Sequence, residues 1–218
     1  MLDLKGITMR REIARRVASA VGDVLPYVQK DIQREVVFKH VCKTIDLPRR
    51  LVPDHVYKKV KSQYKHLEQK KPVSFDEALG WFGQMGRYGQ LIKRYEEQDR
   101  IPFLPMELNV IRLGNIVFAT NCFELFLDFG LQIKARSRAI QTFLIQLCPR
   151  RVGSGYLPTL RAVQGCAAAI GEDFSDDGSP AGGARGYEAG IGSSSVGPDG
   201  GQVIVEETLK VIGKLWND

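Results

Sequence analysis

The 218-residue chain has no apolar run long enough to cross a bilayer. Its richest stretch, Asn109 to Ile133, is broken by Arg112, Asn115, Asn121, Glu124 and Asp128, whereas a spanning helix takes roughly 20 apolar residues. A helical membrane protein is therefore excluded. Cysteine is scarce: Cys42, Cys122, Cys148 and Cys166 form no CxxC pair. That removes a zinc knuckle and a thioredoxin-type redox site and leaves buried thiols as the expectation. The three histidines, His40, His55 and His66, share no HxxxH, HxH or HExxH spacing, so a metal site supplied by this chain's histidines has no anchor. No GxSxG elbow, Walker loop or strand-linked GxGxxG occurs, which removes the usual starting points for a serine hydrolase or nucleotide enzyme. The first residues mix acid and base and lack an apolar segment with a small-residue cleavage site, so no secretion signal is expected on this chain.

What is present is the composition of a globular protein, 44% apolar and 26% charged, with net charge +6. The charge is uneven. Residues 1–100 carry 21 Lys and Arg against 13 Asp and Glu, and residues 101–218 carry 10 against 12. This divides the chain into a basic helical segment, 1–100, and an acidic α/β segment, 101–218. A basic half can serve an anionic partner, a nucleic acid or a membrane surface, and so a non-catalytic binding module. The same residues also read as the wet faces of amphipathic helices: Arg10, Arg11, Arg15 and Arg16 flank the stripe Ile13, Val17, Val21, Val24. No zinc finger, RNA-binding motif or basic strand interleaved with aromatics accompanies them.

The hydrophobic rhythm predicts a helix from Thr8 to Leu25 ended by Pro26, then a strand from Glu35 to Leu47. A helix from Pro53 carries Val56, Val60, Tyr64 and Leu67, and a further helix opens with the capping box Ser74-Phe-Asp-Glu77. The stripe of the latter is Leu79, Phe82, Met85, Ile92 and Tyr95. Met106 to Leu113 and Ile116 to Thr120 form a hairpin about Gly114-Asn115. Glu124 to Ala135 reads as a helix apolar nearly all round and hence buried, and Ala139 to Leu147 as a strand inside a sheet. Strand, helix and strand at this spacing predict a crossover unit, so the fold class is α/β, a mixed sheet with flanking helices. Residues 151–202 hold 13 of the 22 glycines and read as a long loop region. After the turn Pro198-Asp-Gly-Gly201, a last helix, Gln202 to Trp216, presents Val205, Leu209, Ile212 and Leu215.

Chemistry concentrates in the second half. Glu124 stands at a strand-to-helix junction, where strand ends in α/β sheets meet ligands and helix N-termini favour carboxylates. Tyr156 and Tyr187 lie in glycine-rich segments, Gly155-Tyr-Leu-Pro-Thr159 and Gly186-Tyr-Glu188. Spacing alone favours Glu124 as a helix cap and the tyrosines as packing residues. Asp173-Phe-Ser-Asp-Asp-Gly lacks the alternating ligands and closing glutamate of a calcium loop.

At these residues the chain resembles a family. Asn109-Val-Ile-Arg-Leu-Gly-Asn-Ile-Val-Phe-Ala-Thr-Asn-Cys-Phe-Glu124, then Gly155-Tyr-Leu-Pro-Thr159, Gly186-Tyr-Glu188 and Pro198-Asp-Gly-Gly-Gln202, look like the later part of the catalytic domain of neutral/alkaline ceramidases and their bacterial ceramidase-like relatives. The resemblance spans about residues 106–216 and implies the incomplete half of a larger α/β hydrolase-type domain. It implies a zinc-dependent amidohydrolase that cleaves the amide of an N-acylated lipid or another amide. Glu124 and Tyr156 are the implied zinc ligands, and Tyr156 and Tyr187 the implied catalytic tyrosines. The family's two histidine ligands belong to the missing N-terminal half, since His40, His55 and His66 match no family motif. Relative to that family, Cys166 to Gly182 reads as an insertion.

Overall fold

The computed structural model describes residues 6–148, 155–170 and 187–217. The chain forms two compact units, Met1–Val37 and Phe38–Asp218.

The first unit is built on α1, Met9–Val28. Thr8 starts it by accepting a hydrogen bond from the Arg11 amide at 3.3 Å, which satisfies one of the helix's orphan donors. Glu12 accepts from Arg15 and Arg16, each at 2.9 Å. The predicted stop at Pro26 is not observed: the helix continues for two further residues. A proline in the last turn forfeits only one intrahelical bond. Ile13, Val17, Val21 and Val24 are all exposed.

The second unit begins with β1, Phe38–Pro48, followed by a helical pair, α2, Asp54–Gln69, and α3, Phe75–Glu97. Strands β2, Phe103–Leu113, and β3, Ile116–Thr120, form the expected hairpin, with Gly114 in the left-handed region at φ 58°. Then come β4, Glu124–Leu125; α4, Leu127–Arg136; β5, Gln141–Ile145; β6, Tyr156–Leu157; and α5, Leu160–Ile170. A 3₁₀ turn, Tyr187–Ala189, precedes α6, Pro198–Lys214.

The fold is mixed α/β, with a four-stranded sheet in the order β1-β2-β3-β5 and helices beside it. β1 pairs with β2 antiparallel along its whole length, from Phe38 opposite Leu113 to Pro48 opposite Phe103. A strand from the basic first hundred residues thus belongs to the same sheet as the second half. β3 and β5 run parallel and are joined through α4, the predicted crossover. On one face of the sheet Leu47, Met106, Leu108, Val110, Val117 and Ala119 meet Phe129 and Ile133 of α4 and Ile204, Val205 and Ile212 of α6. Each of these side chains larger than Ala119 contributes about 1.5–3 kcal/mol on leaving water. Pro198-Asp-Gly-Gly201, expected as a turn before the last helix, is its first turn, with Pro198 at a position where its missing N–H costs nothing. A Cβ on Gly201 would enter the Phe129 ring and one on Gly200 would strike Val196.

Further expectations are corrected. α4 starts at Leu127, not at Glu124, because the Glu124 and Phe126 amides are committed to the carbonyls of Gly155 and Leu157 and the Leu125 amide to Gln146 Oε1. It is not buried all round: Phe129 and Ile133 face the core, while Leu127 and Leu131 are exposed. β5 lies at the end of the sheet instead of inside it, and its alternation leaves Phe143 and Ile145 partly exposed. In α3 half of the capping box holds: Ser74 Oγ accepts from the Glu77 amide at 3.2 Å, while Glu77 reaches one residue further back and accepts from the Val73 amide at 3.0 Å instead of that of Ser74. Its expected stripe holds in part: Ile92 and Tyr95 pack half-buried against the cluster that Tyr88 and Leu91 form with Val52, Val56 and Val60, Arg94 is buried beside them, and Leu79 and Phe82 are exposed. The cysteines also differ from expectation: Cys122 is buried, whereas Cys42 and Cys148 are exposed. No helix among the described residues is long and apolar enough to cross a membrane.

Candidate functional site

After β3 the chain turns at Asn121, whose side chain accepts from the Phe123 amide at 3.0 Å, and enters the two-residue strand β4. β4 pairs in parallel with β6, and the register places Glu124 opposite Tyr156 and Leu125 opposite Leu157. The Glu124 amide donates to the Gly155 carbonyl at 2.9 Å and the Phe126 amide to the Leu157 carbonyl at 3.2 Å. Residues opposite each other in a parallel pair share a face of the ribbon. Glu124 and Tyr156 are therefore neighbours on one half-buried face, while Leu125 and Leu157 point to the core on the other.

The pair is held from its far side by residues 191–195. The Tyr156 amide donates to the Ser193 carbonyl at 3.0 Å. That carbonyl passes so close that a Cβ on Gly155 would lie 2.5 Å from it, so glycine is required there by contact. The same segment is fastened by two arginines. Arg94 donates to the carbonyls of Ser194 and Ile191 at 2.7 and 2.6 Å, and Arg50 to those of Ala189 and Gly190 at 2.9 and 3.0 Å. Tyr187 opens the 3₁₀ turn at the start of this segment, and that turn packs against β6.

The alternative role of Glu124 as a helix cap is not what the geometry shows. Phe126 occupies the N-cap of α4 without a side-chain cap, and the acid in the first turn is Asp128. The Glu124 carboxylate takes part in no hydrogen bond or ion pair among the described residues. A half-buried carboxylate left without a donor has the chemistry of a ligand-binding group: an anionic oxygen beside a phenol can coordinate a cation or accept a proton. The histidines are elsewhere. His40 lies on the exposed side of β1, 2.9 Å from Asn109 Oδ1, and His55 and His66 are exposed on α2. Among the described residues no group of three or more His, Cys, Asp or Glu side chains could hold a metal ion. The pair offers two oxygen donors, fewer than the three or four protein ligands a zinc centre takes. The expected insertion, Cys166 to Gly182, lies largely outside the described residues.

Sequence reasoning missed the arginines. Arg94 stands three residues after Leu91, on the same stripe as Tyr88 and Leu91, and is 7% exposed. An arginine at the apolar spacing of an amphipathic helix was the available signal. Arg49 and Arg50, directly after Pro48 at the end of β1, were the other half of it.

Family models, curated proteins and solved structures give no match to this chain.

Proposed function

We propose that Glu124 and Tyr156 are two ligands of a zinc centre in a ceramidase-like amidohydrolase, which hydrolyses the amide of an N-acylated lipid or a related N-acyl compound. The observation that supports it is the register of β4 and β6, which joins two motifs 32 positions apart into adjacent oxygen donors on one face. In such a centre zinc would lower the pKa of a bound water to roughly 7 and polarise the scissile carbonyl.

The chain's own residues supply the rest. Glu124 gives an anionic donor that no described side chain has already engaged. Tyr156 sets a phenol beside it, fixed in position because its backbone is gripped on one edge by Glu124's strand and on the other by Ser193. Tyr187, at the head of the segment that closes over β6, is assigned to hydrogen-bond the oxygen that gains charge during attack on the carbonyl. The histidine donors of a complete centre come from outside this chain, whose three histidines lie on β1 and α2.

The purified chain is expected to bind zinc weakly and to leave a short-chain fluorescent N-acylsphingosine uncleaved, with metal content and turnover measured on one preparation. No zinc binding at all would contradict the assignment of Glu124 and Tyr156. Stoichiometric tight zinc with turnover would contradict the incompleteness of the site.

A further inference from the structure

A second feature adjoins this pair without taking part in it. A cavity of about 430 Å³ is lined by Arg49, Arg87, Lys93, Arg94 and Glu97 together with Cys122, Phe123 and the Gly192-Ser193-Ser194-Ser195 segment. Two of its walls are shared with the candidate site: Phe123 precedes Glu124, and Ser193 accepts from the Tyr156 amide. The size suits a small molecule.

Its charge is one-sided, with four cationic side chains against one carboxylate. The carboxylate is already shared. Glu97 lies 3.4 Å from Arg49, 3.9 Å from Lys93 and 3.7 Å from Arg100. Arg94 bonds only to backbone carbonyls among the described residues, and its buried Nε has no partner; the buried Nε of Arg49 has none either. Burial first, and then repulsion from Arg50 and Arg49, lowers the Arg94 pKa to about 9, so the group is still a cation at neutral pH. A buried guanidinium with no counter-charge is unfavourable. An oxyanion in the cavity would offset that cost and meet N–H donors in the geometry guanidinium groups match best.

We propose that this cavity binds the phosphate group of a small phosphate monoester, with Arg94 and Arg49 at its floor and Arg87 and Lys93 at its rim. The excess of three positive charges favours a doubly charged oxyanion over a carboxylate, and the volume leaves room for the organic part. Binding here is independent of the zinc reading, so either proposal can fail without the other.

Calorimetry and thermal melting with inorganic phosphate and glycerol 1-phosphate, against acetate and chloride at matched ionic strength, test it. Saturable binding of both phosphates, tighter for the ester, is expected, with affinity reduced by added salt. Arg94→Gln removes the anchor of residues 191–195 and can unfold the segment, so the deciding variants are Arg87→Gln and Lys93→Gln at the rim. Each should weaken glycerol 1-phosphate by about tenfold, the loss of one charge-assisted contact, with every melting shift read against that variant's own ligand-free melting temperature. Acetate binding as tightly as phosphate, melting shifts equal to those in chloride, or full affinity in the Arg87→Gln/Lys93→Gln double variant would each overturn the proposal.

Discussion

Glu124 and Gly155 are linked by one backbone hydrogen bond, yet they make opposite demands on substitution. The Glu124 side chain has no partner among the described residues, so Glu124→Gln should shift stability by no more than about 0.5 kcal/mol, the usual range for a site without special contacts. A helix-capping carboxylate would instead cost about 1 kcal/mol. Gly155→Ala places a methyl group 2.5 Å from the Ser193 carbonyl and must push the 191–195 segment away. Overpacking of this kind costs about 1–3 kcal/mol. Urea denaturation of the two variants separates these outcomes, and a large loss for Glu124→Gln would return that residue to a structural role. The glycine requirement is invisible in sequence, because nothing local to Gly155 announces that residue 193 passes over it. Glu124 and Tyr156 were legible only through motif resemblance. The arginine cavity was hidden because its members are scattered among basic residues that mostly do face solvent.

Among the elements, those set by neighbouring residues could be read and those set by distant ones could not. The hairpin at Gly114-Asn115, the Ser74 to Glu77 box and the β3-α4-β5 crossover all follow from local turn, cap and periodicity rules. The start of α4 does not, since Glu124 and Leu125 carry helix-compatible side chains and are held in a strand by bonds from the Glu124 and Phe126 amides to the carbonyls of Gly155 and Leu157 and from the Leu125 amide to Gln146. In α3 the choice of face was decided by Val56 and Val60 across the hairpin, which select Tyr88 and Leu91 over Leu79 and Phe82. The contact of β1 with α6 includes an ion pair between Lys43 and Glu207. Its hydrogen bond holds the Glu207 pKa below the ordinary glutamate value of 4.5. A carboxyl whose folded pKa is depressed stabilises the fold above its unfolded pKa and loses that contribution as pH falls through the folded value. Melting temperature should therefore fall below about pH 4.5 less steeply in Lys43→Met than in the parent chain. Parallel curves would show that this pair does not couple β1 to α6.

For the whole molecule, the sheet carries one thoroughly apolar face, closed by α4 and α6. The opposite face bears Ile111, Phe118 and Phe143, with the two phenylalanine rings stacked 5.0 Å apart. The short β4–β6 ribbon stands apart from this sheet, and its leucines join the common core. Both proposals draw on this arrangement: the oxygen donors sit on the ribbon, and the cationic cavity lies behind the segment that clamps it. Of the two, the zinc assignment is central, and zinc affinity measured by competition with a chelating dye tests it most directly on the parent chain, Glu124→Gln and Tyr156→Phe. The account predicts weak binding by the parent and a loss of about tenfold or more, about 1.4 kcal/mol, in each variant. Equal affinity in all three proteins would contradict it.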